Sequence, residues 1–149
     1  MSRATSPIRD LAQRIMVHEG HEGKSSQVQP TVAFHACEKL RPHLATLMGD
    51  AGARALFARS LVIAHSEAPW LRTVHVQPAG SSKAFEFPEA PVGRAVMAEG
   101  ERALLAQLLG LLVIFIGESL TLRMVRQVWP ALPLNDFDFG GGKRNEKAS

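Results

Sequence analysis

The sequence predicts a mainly α protein: a bundle of about four helices around one long apolar C-terminal helix, with a small β-hairpin between the third and last helices. Three observations carry this prediction. Apolar residues recur at helical spacing in three upstream segments, a stretch ending at Val128 is apolar almost throughout, and only one short region alternates with period two. Among the 149 residues, 46% are hydrophobic and 21% charged, which is the balance of an ordinary globular domain. The expected single domain covers residues 1–139, with an N-terminal helix and polar linker in 1–29 and a disordered tail over 140–149.

"SPIRDLAQRIMVHEG" opens the first helix, with Ser6 as its cap, Pro7 in the first turn, and Ile8, Leu11, Ala12 and Ile15 on one face. Gly20, Gly23 and "KSSQ" end it. A second helix starts near Pro30 or Thr31 and buries Ala33, Ala36, Cys37, Leu40, Leu44 and Leu47; Pro42 inside it predicts a kink or a meeting of two helices. "GDAG" is a turn with Asp50 as N-cap, and the third helix runs from about Ala51 to Glu67, stopped by Pro69. "RTVHV" and "KAFEF" alternate around "QPAGSS" and predict a hairpin that must lean on the helices, because two strands alone are hardly stable. The last helix begins near Arg94 or Glu101, continues to Val128 and is closed by Pro130 and Pro133. Trp70 and Trp129, each beside a proline, are expected to plug the ends of the core. No internal repeat is visible.

The last helix carries most of the functional expectation. Residues 103–117 contain one polar side chain, Gln107, and are shorter than the roughly 20 residues of a membrane span. Extending the run brings in Glu118 and Arg123, so membrane association is not expected. Ala103, Ala106, Gly110, Gly117 and Thr121 form a narrow small-residue face where another helix can approach. Leu105, Leu108, Leu112, Phe115 and Ile116 lie opposite, as surplus apolar surface, and predict an interface, most simply a homodimer. Glu118, beside the small-residue face, is expected in a helix–helix contact, paired with Arg54, Arg59, His65, Lys39 or His43, or with orphan amides at a helix start. The alternative is an apolar small-molecule or lipid pocket in which Gln107 and Glu118 orient the ligand.

Other motifs carry less. His18 and His21 in "VHEGHEG" are three apart with Gly20 between them, not the four-residue spacing of a helical zinc pair, and remain weak metal candidates. In "FHACEKLRPH", His35 and Cys37 point to opposite sides of a helix, which removes a nucleophile–base pair. No catalytic constellation or phosphate-binding glycine pattern stands out, so no cofactor is expected. The net charge of +3 is scattered, and the helix after "GDAG" carries only Arg54 and Arg59 as bases, so no nucleic acid is expected as a partner. "FDF" at 137–139 suggests a short segment for a protein partner. The lone Cys37 and a start, "MSRATSPIRDLAQRIM", without an apolar leader predict a cytoplasmic protein.

Through "EKLRPHLATLMG", "SEAPWL" and "LLGLLVIFIGESLTLRMVRQVWPALPLND", the chain resembles a group of small bacterial proteins of unknown function from about Cys37 to Asp136. That resemblance implies a soluble bacterial setting and brings no activity, cofactor or catalytic residue.

Overall fold

A computed structural model describes residues 5–22, 32–76, 85–86, 94–134 and 137. Three helices make up most of it: α1 (Ser6–Glu22), α2 (Val32–Ala64) and α3 (Arg94–Val128). A 3-10 turn (Pro69–Thr73) and two short strands, β1 (His75–Val76) and β2 (Phe85–Glu86), connect α2 to α3. The mainly α class and the long C-terminal helix are as the sequence predicts. The count differs: among the described residues there are three helices rather than four, because the expected second and third form one element that bends at the "GDAG" turn.

α1 starts where Thr5 O accepts the Arg9 N–H at 2.9 Å, and it buries Ile8, Leu11, Ala12 and Ile15 against the other two helices. In α2, Pro42 keeps helical backbone angles and does not split the helix. It lies on the exposed side, where water can serve the carbonyl that it leaves without a donor. The break comes instead at Gly49, whose φ of 82° and ψ of 161° are open to glycine almost alone. α3 is likewise not the continuous rod that its composition suggests: Gly117 breaks it with φ 90° and ψ 162°.

The two broken helices repeat one design at an offset of 68 residues. Gly49 matches Gly117, and an acid follows each, Asp50 and Glu118. Before the breaks, buried Ala36, Cys37, Leu40 and Leu44 match buried Leu104, Leu105, Leu108 and Leu112. After them, Ala53, Leu56, Phe57 and Leu61 match Thr121, Met124, Val125 and Trp129, again all buried. Only Leu40/Leu108, Leu44/Leu112 and Gly49/Gly117 are identical pairs between residues 33–64 and 101–132, so the repeat lives in burial and backbone rather than in residue identity.

Contacts fix how the halves lie. Glu101 meets Ala33, its counterpart in the repeat, so the first halves of α2 and α3 begin side by side. Past its break, α2 runs back along the first half of α3. Residues 52–59 flank 111–115, Glu67 meets Gln107, and Trp70 covers Gly100 and donates from Nε1 to Val96 O at 3.3 Å. Trp70 is half-buried, whereas Trp129 is 1% exposed and fills the core beyond the end of α3.

The hairpin is smaller than the alternation predicts. It pairs His75 with Glu86 and Val76 with Phe85, antiparallel, and extends no further among the described residues. What holds it is Phe85, whose ring stands edge-on between Phe34 at 5.5 Å and Phe57 at 5.4 Å. Phe137 packs half-buried under the Arg14 guanidinium, so this part of "FDF" rests on the fold itself. The expected linker of 23–29 and the tail of 140–149 fall outside the described residues.

Alanine at Gly49 or Gly117 would meet no neighbouring atom within 4 Å, so its penalty is backbone strain alone. Each single substitution is expected to cost about 1–3 kcal/mol and to lower Tm by several degrees in thermal unfolding. An unchanged Tm in both would contradict the two kinks.

Candidate interaction surface

The bend at Gly117 decides which apolar residues of α3 are covered. Ala103, Leu104, Leu105, Ala106, Leu108, Leu109 and Leu112 are buried, enclosed by α1, α2 and the returning half of α2. Of the five residues expected to form an interface, Leu105, Leu108 and Leu112 are therefore interior core. The reason is that the bent helices wrap the apolar half of α3 on every side. Ile116 is half-buried and Phe115 is 61% exposed, joined by Ile114 at 56%. With Leu47 at 47%, these are the large apolar side chains exposed near the two breaks.

Glu118 is not in a helix–helix contact and has none of the expected basic partners. It is exposed and follows Gly117, at the start of the second half of α3. A helix start presents unpaired N–H groups and a positive dipole end, which favour an acid there. Asp50 stands in the same relation to Gly49. The signal was present in the sequence as Gly followed by an acid and a small residue, "GDA" and "GES", but only the first occurs among turn-forming neighbours.

A groove of about 370 Å³ opens beside Phe115, lined by Gly52, Ala55, Leu56 and Arg59 from α2 and by Leu111, Ile114 and Phe115 from α3. A second, of about 270 Å³, is lined by Leu120, Arg123, Met124 and Gln127 and by His43, Thr46 and Leu47. Position by position these are the same groove: 52, 55, 56 and 59 become 120, 123, 124 and 127, and 111, 114 and 115 become 43, 46 and 47. Their chemistry differs. Leu111 and Ile114 in the first are replaced by His43 and Thr46 in the second, and Phe115 by Leu47. Neither groove is lined by Gln107 or Glu118.

Gln107 is fully buried and donates from Nε2 to Glu67 Oε2 at 2.7 Å; Glu67 also pairs with Arg9 at 3.0 Å. The Arg9 side chain holds the Glu67 carboxyl below its usual range against the opposing effect of burial. This chain of contacts ties α1 and α3 to the end of α2. Lys39 pairs with the buried Glu19, joining α2 to α1.

Glu101 is 1% exposed and accepts the Ala33 N–H at 2.9 Å in the first turn of α2. Burial pushes its carboxyl up to about 8, against the lowering effect of that hydrogen bond. It is therefore largely protonated at neutral pH. Cys37 is buried nearby, and burial, with Glu38 and Glu101 adding to it, raises its thiol far from the reactive range. Periodicity alone does not mark Glu101: an acid at the head of an apolar run reads as a flanking charge.

His18 lies on α1, and the His21 side chain falls outside the described residues. No group of three or more metal-ligating side chains occurs among the described residues. By length and composition α3 could cross a membrane: within Ala95–Val128 an 18-residue window has a mean hydropathy of 2.1, although 56% of that window is buried inside the protein. Compared with known protein families, curated proteins and solved structures, the chain matches none.

The raised Glu101 carboxyl makes a testable contribution to stability. A carboxyl whose folded value lies above its unfolded value stabilises fully below the ordinary carboxylate range, and this contribution is lost as pH rises toward about 8. Glu67 and His65, both shifted downward, act in the opposite sense, so the comparison is with Glu101→Gln, which retains both. The Gln carbonyl can still accept the Ala33 N–H. Denaturant unfolding from pH 5 to pH 9 should show Glu101→Gln gaining on the native chain by up to about 1.4 kcal/mol per pH unit. Parallel curves would contradict the buried neutral acid.

Proposed function

We propose that this chain is a non-enzymatic helical protein–protein interaction module, acting in the cytoplasm, whose contact surface is the exposed face beside the Gly117 break. The observation that carries this reading is the pair Ile114 and Phe115, more than half exposed next to an open apolar groove. Exposed aromatic and branched side chains clustered at a groove are the usual anchors of protein contacts. The bent α2 and α3 act as four helical segments, and the groove sits between two of them. A free, deeply buried Cys37 fits a reducing compartment.

The alternative of a small-molecule or lipid binder centred on Gln107 and Glu118 has no support in their surroundings: buried Gln107 is hydrogen-bonded to Glu67, and Glu118 faces solvent. Membrane insertion of α3 would have to uncover its buried half and strip Glu101 from Ala33.

A photoreactive phenylalanine analogue in place of Phe115, illuminated in the producing cell, should give protein adducts of discrete mass. The same analogue at Ser66, exposed just past the end of α2, should not. No adduct at position 115, or equal labelling at both positions, would overturn the reading.

A further inference from the structure

We infer that the occupant of the first groove is a second copy of this chain, docked so that Ile114, Phe115 and Glu118 of each copy meet Ala55, Leu56 and Arg59 of the other. This rests on the reading of that face as a protein-docking surface. Two features point to self-recognition. The face carries both an apolar ridge, Ile114 and Phe115, and an apolar groove, Ala55, Leu56 and Leu111, on adjacent strips of one surface. The strips also carry opposite charge. Glu118 follows the ridge in sequence, directly past the Gly117 break, and Arg59 lines the groove.

Both are exposed, and neither has a hydrogen bond or ion pair among the described residues. A ridge flanked by an acid and a groove edged by a base complement each other across a two-fold axis, where residue i meets j and j meets i. Opposed potentials of this kind set register and select the partner.

The repeat supplies an internal control that most surfaces lack. At the second groove the counterpart of Phe115 is Leu47, that of Ile114 is Thr46, and that of Arg59 is Gln127. The geometry is kept, but the apolar ridge is weakened and the base shifts from the counterpart of Arg59 to Arg123, the counterpart of Ala55. Docking is therefore confined to the first groove, because the second lacks the exposed Ile–Phe pair and sets its base, Arg123, where the first groove has the apolar Ala55.

Sedimentation velocity on the purified full chain, from about 1 to 200 µM, tests this, with circular dichroism to confirm that each variant keeps its helix content. The native chain should dimerise within that range. Phe115→Asp should be monomeric and Leu47→Asp should dimerise as the native chain does. Arg59→Glu and Glu118→Arg should each weaken the dimer about tenfold or more, and the double exchange Arg59→Glu/Glu118→Arg should restore it to within about threefold. Phe115→Ser, with the same expected loss, serves if the aspartate variant does not fold.

A native chain that stays monomeric throughout overturns the inference, as does equal loss in Phe115→Asp and Leu47→Asp or a double exchange that restores nothing. The two readings fail separately. A monomer that still crosslinks from position 115 to another protein sinks the dimer and keeps the docking surface, whereas the absence of every adduct sinks both.

Discussion

Two glycines held at positive φ set the arrangement of everything else. A straight helix of the length of α3 would extend about 50 Å, well beyond the diameter of a domain this size, and its apolar half would lack enough chain to cover it. Breaking at Gly117 shortens the rod, and breaking α2 at Gly49 sends its second half back along the first half of α3. The leucines between Ala103 and Leu112 are then surrounded. An all-round apolar helix can be soluble only in such an enclosure. Each break also creates a helix end with unpaired N–H groups, which an acid directly after each glycine is placed to favour.

Among the described residues, buried Glu19, Gln107 and Glu101 tie elements together, whereas Ser60 bonds back to its own helix. Gln107, Glu67 and Arg9 link all three helices at the end of α2, and Glu19 with Lys39 links α1 to α2. Glu101 is the exception, because its partner is a backbone N–H rather than a charge. A deeply buried carboxylate with no cation nearby is costly, and protonation removes that cost. The acid thus holds the start of α2 against α3 as a neutral hydrogen-bonding group.

Much of the helical content was legible because the apolar period agrees with the burial. Ile8, Leu11, Ala12 and Ile15 on α1, the Ala33-to-Leu44 stripe of α2 and the turn after Met48 all stand where the pattern puts them. The break at Gly117 was not legible for a physical reason. Isolated glycine within a leucine-rich run is compatible with continuous helix at modest cost, and no proline or polar cluster marks the turn. Misreading that one residue carried over to the site. It placed Glu118 inside a contact, left Leu105, Leu108 and Leu112 on an outer face, and hid the match between α2 and α3. Pro42 misled in the other direction: it stays within helical backbone angles on the solvent side, and the break falls at Gly49. Burial of Glu101 depends on how two helix starts meet in space, which no local pattern records.

The bend that encloses one half of α3 is also what leaves Ile114 and Phe115 outside, so the fold and the proposed contact surface stand or fall together. Amide hydrogen exchange across α3, resolved by residue, tests this most directly. A helix newly begun at Glu118 leaves the first amides after Gly117 without helical acceptors, so Glu118 and Ser119 should exchange fast between protected segments on either side. Uninterrupted protection from Leu112 through Met124 would mean a continuous helix, and would contradict both the kink and the surface built upon it.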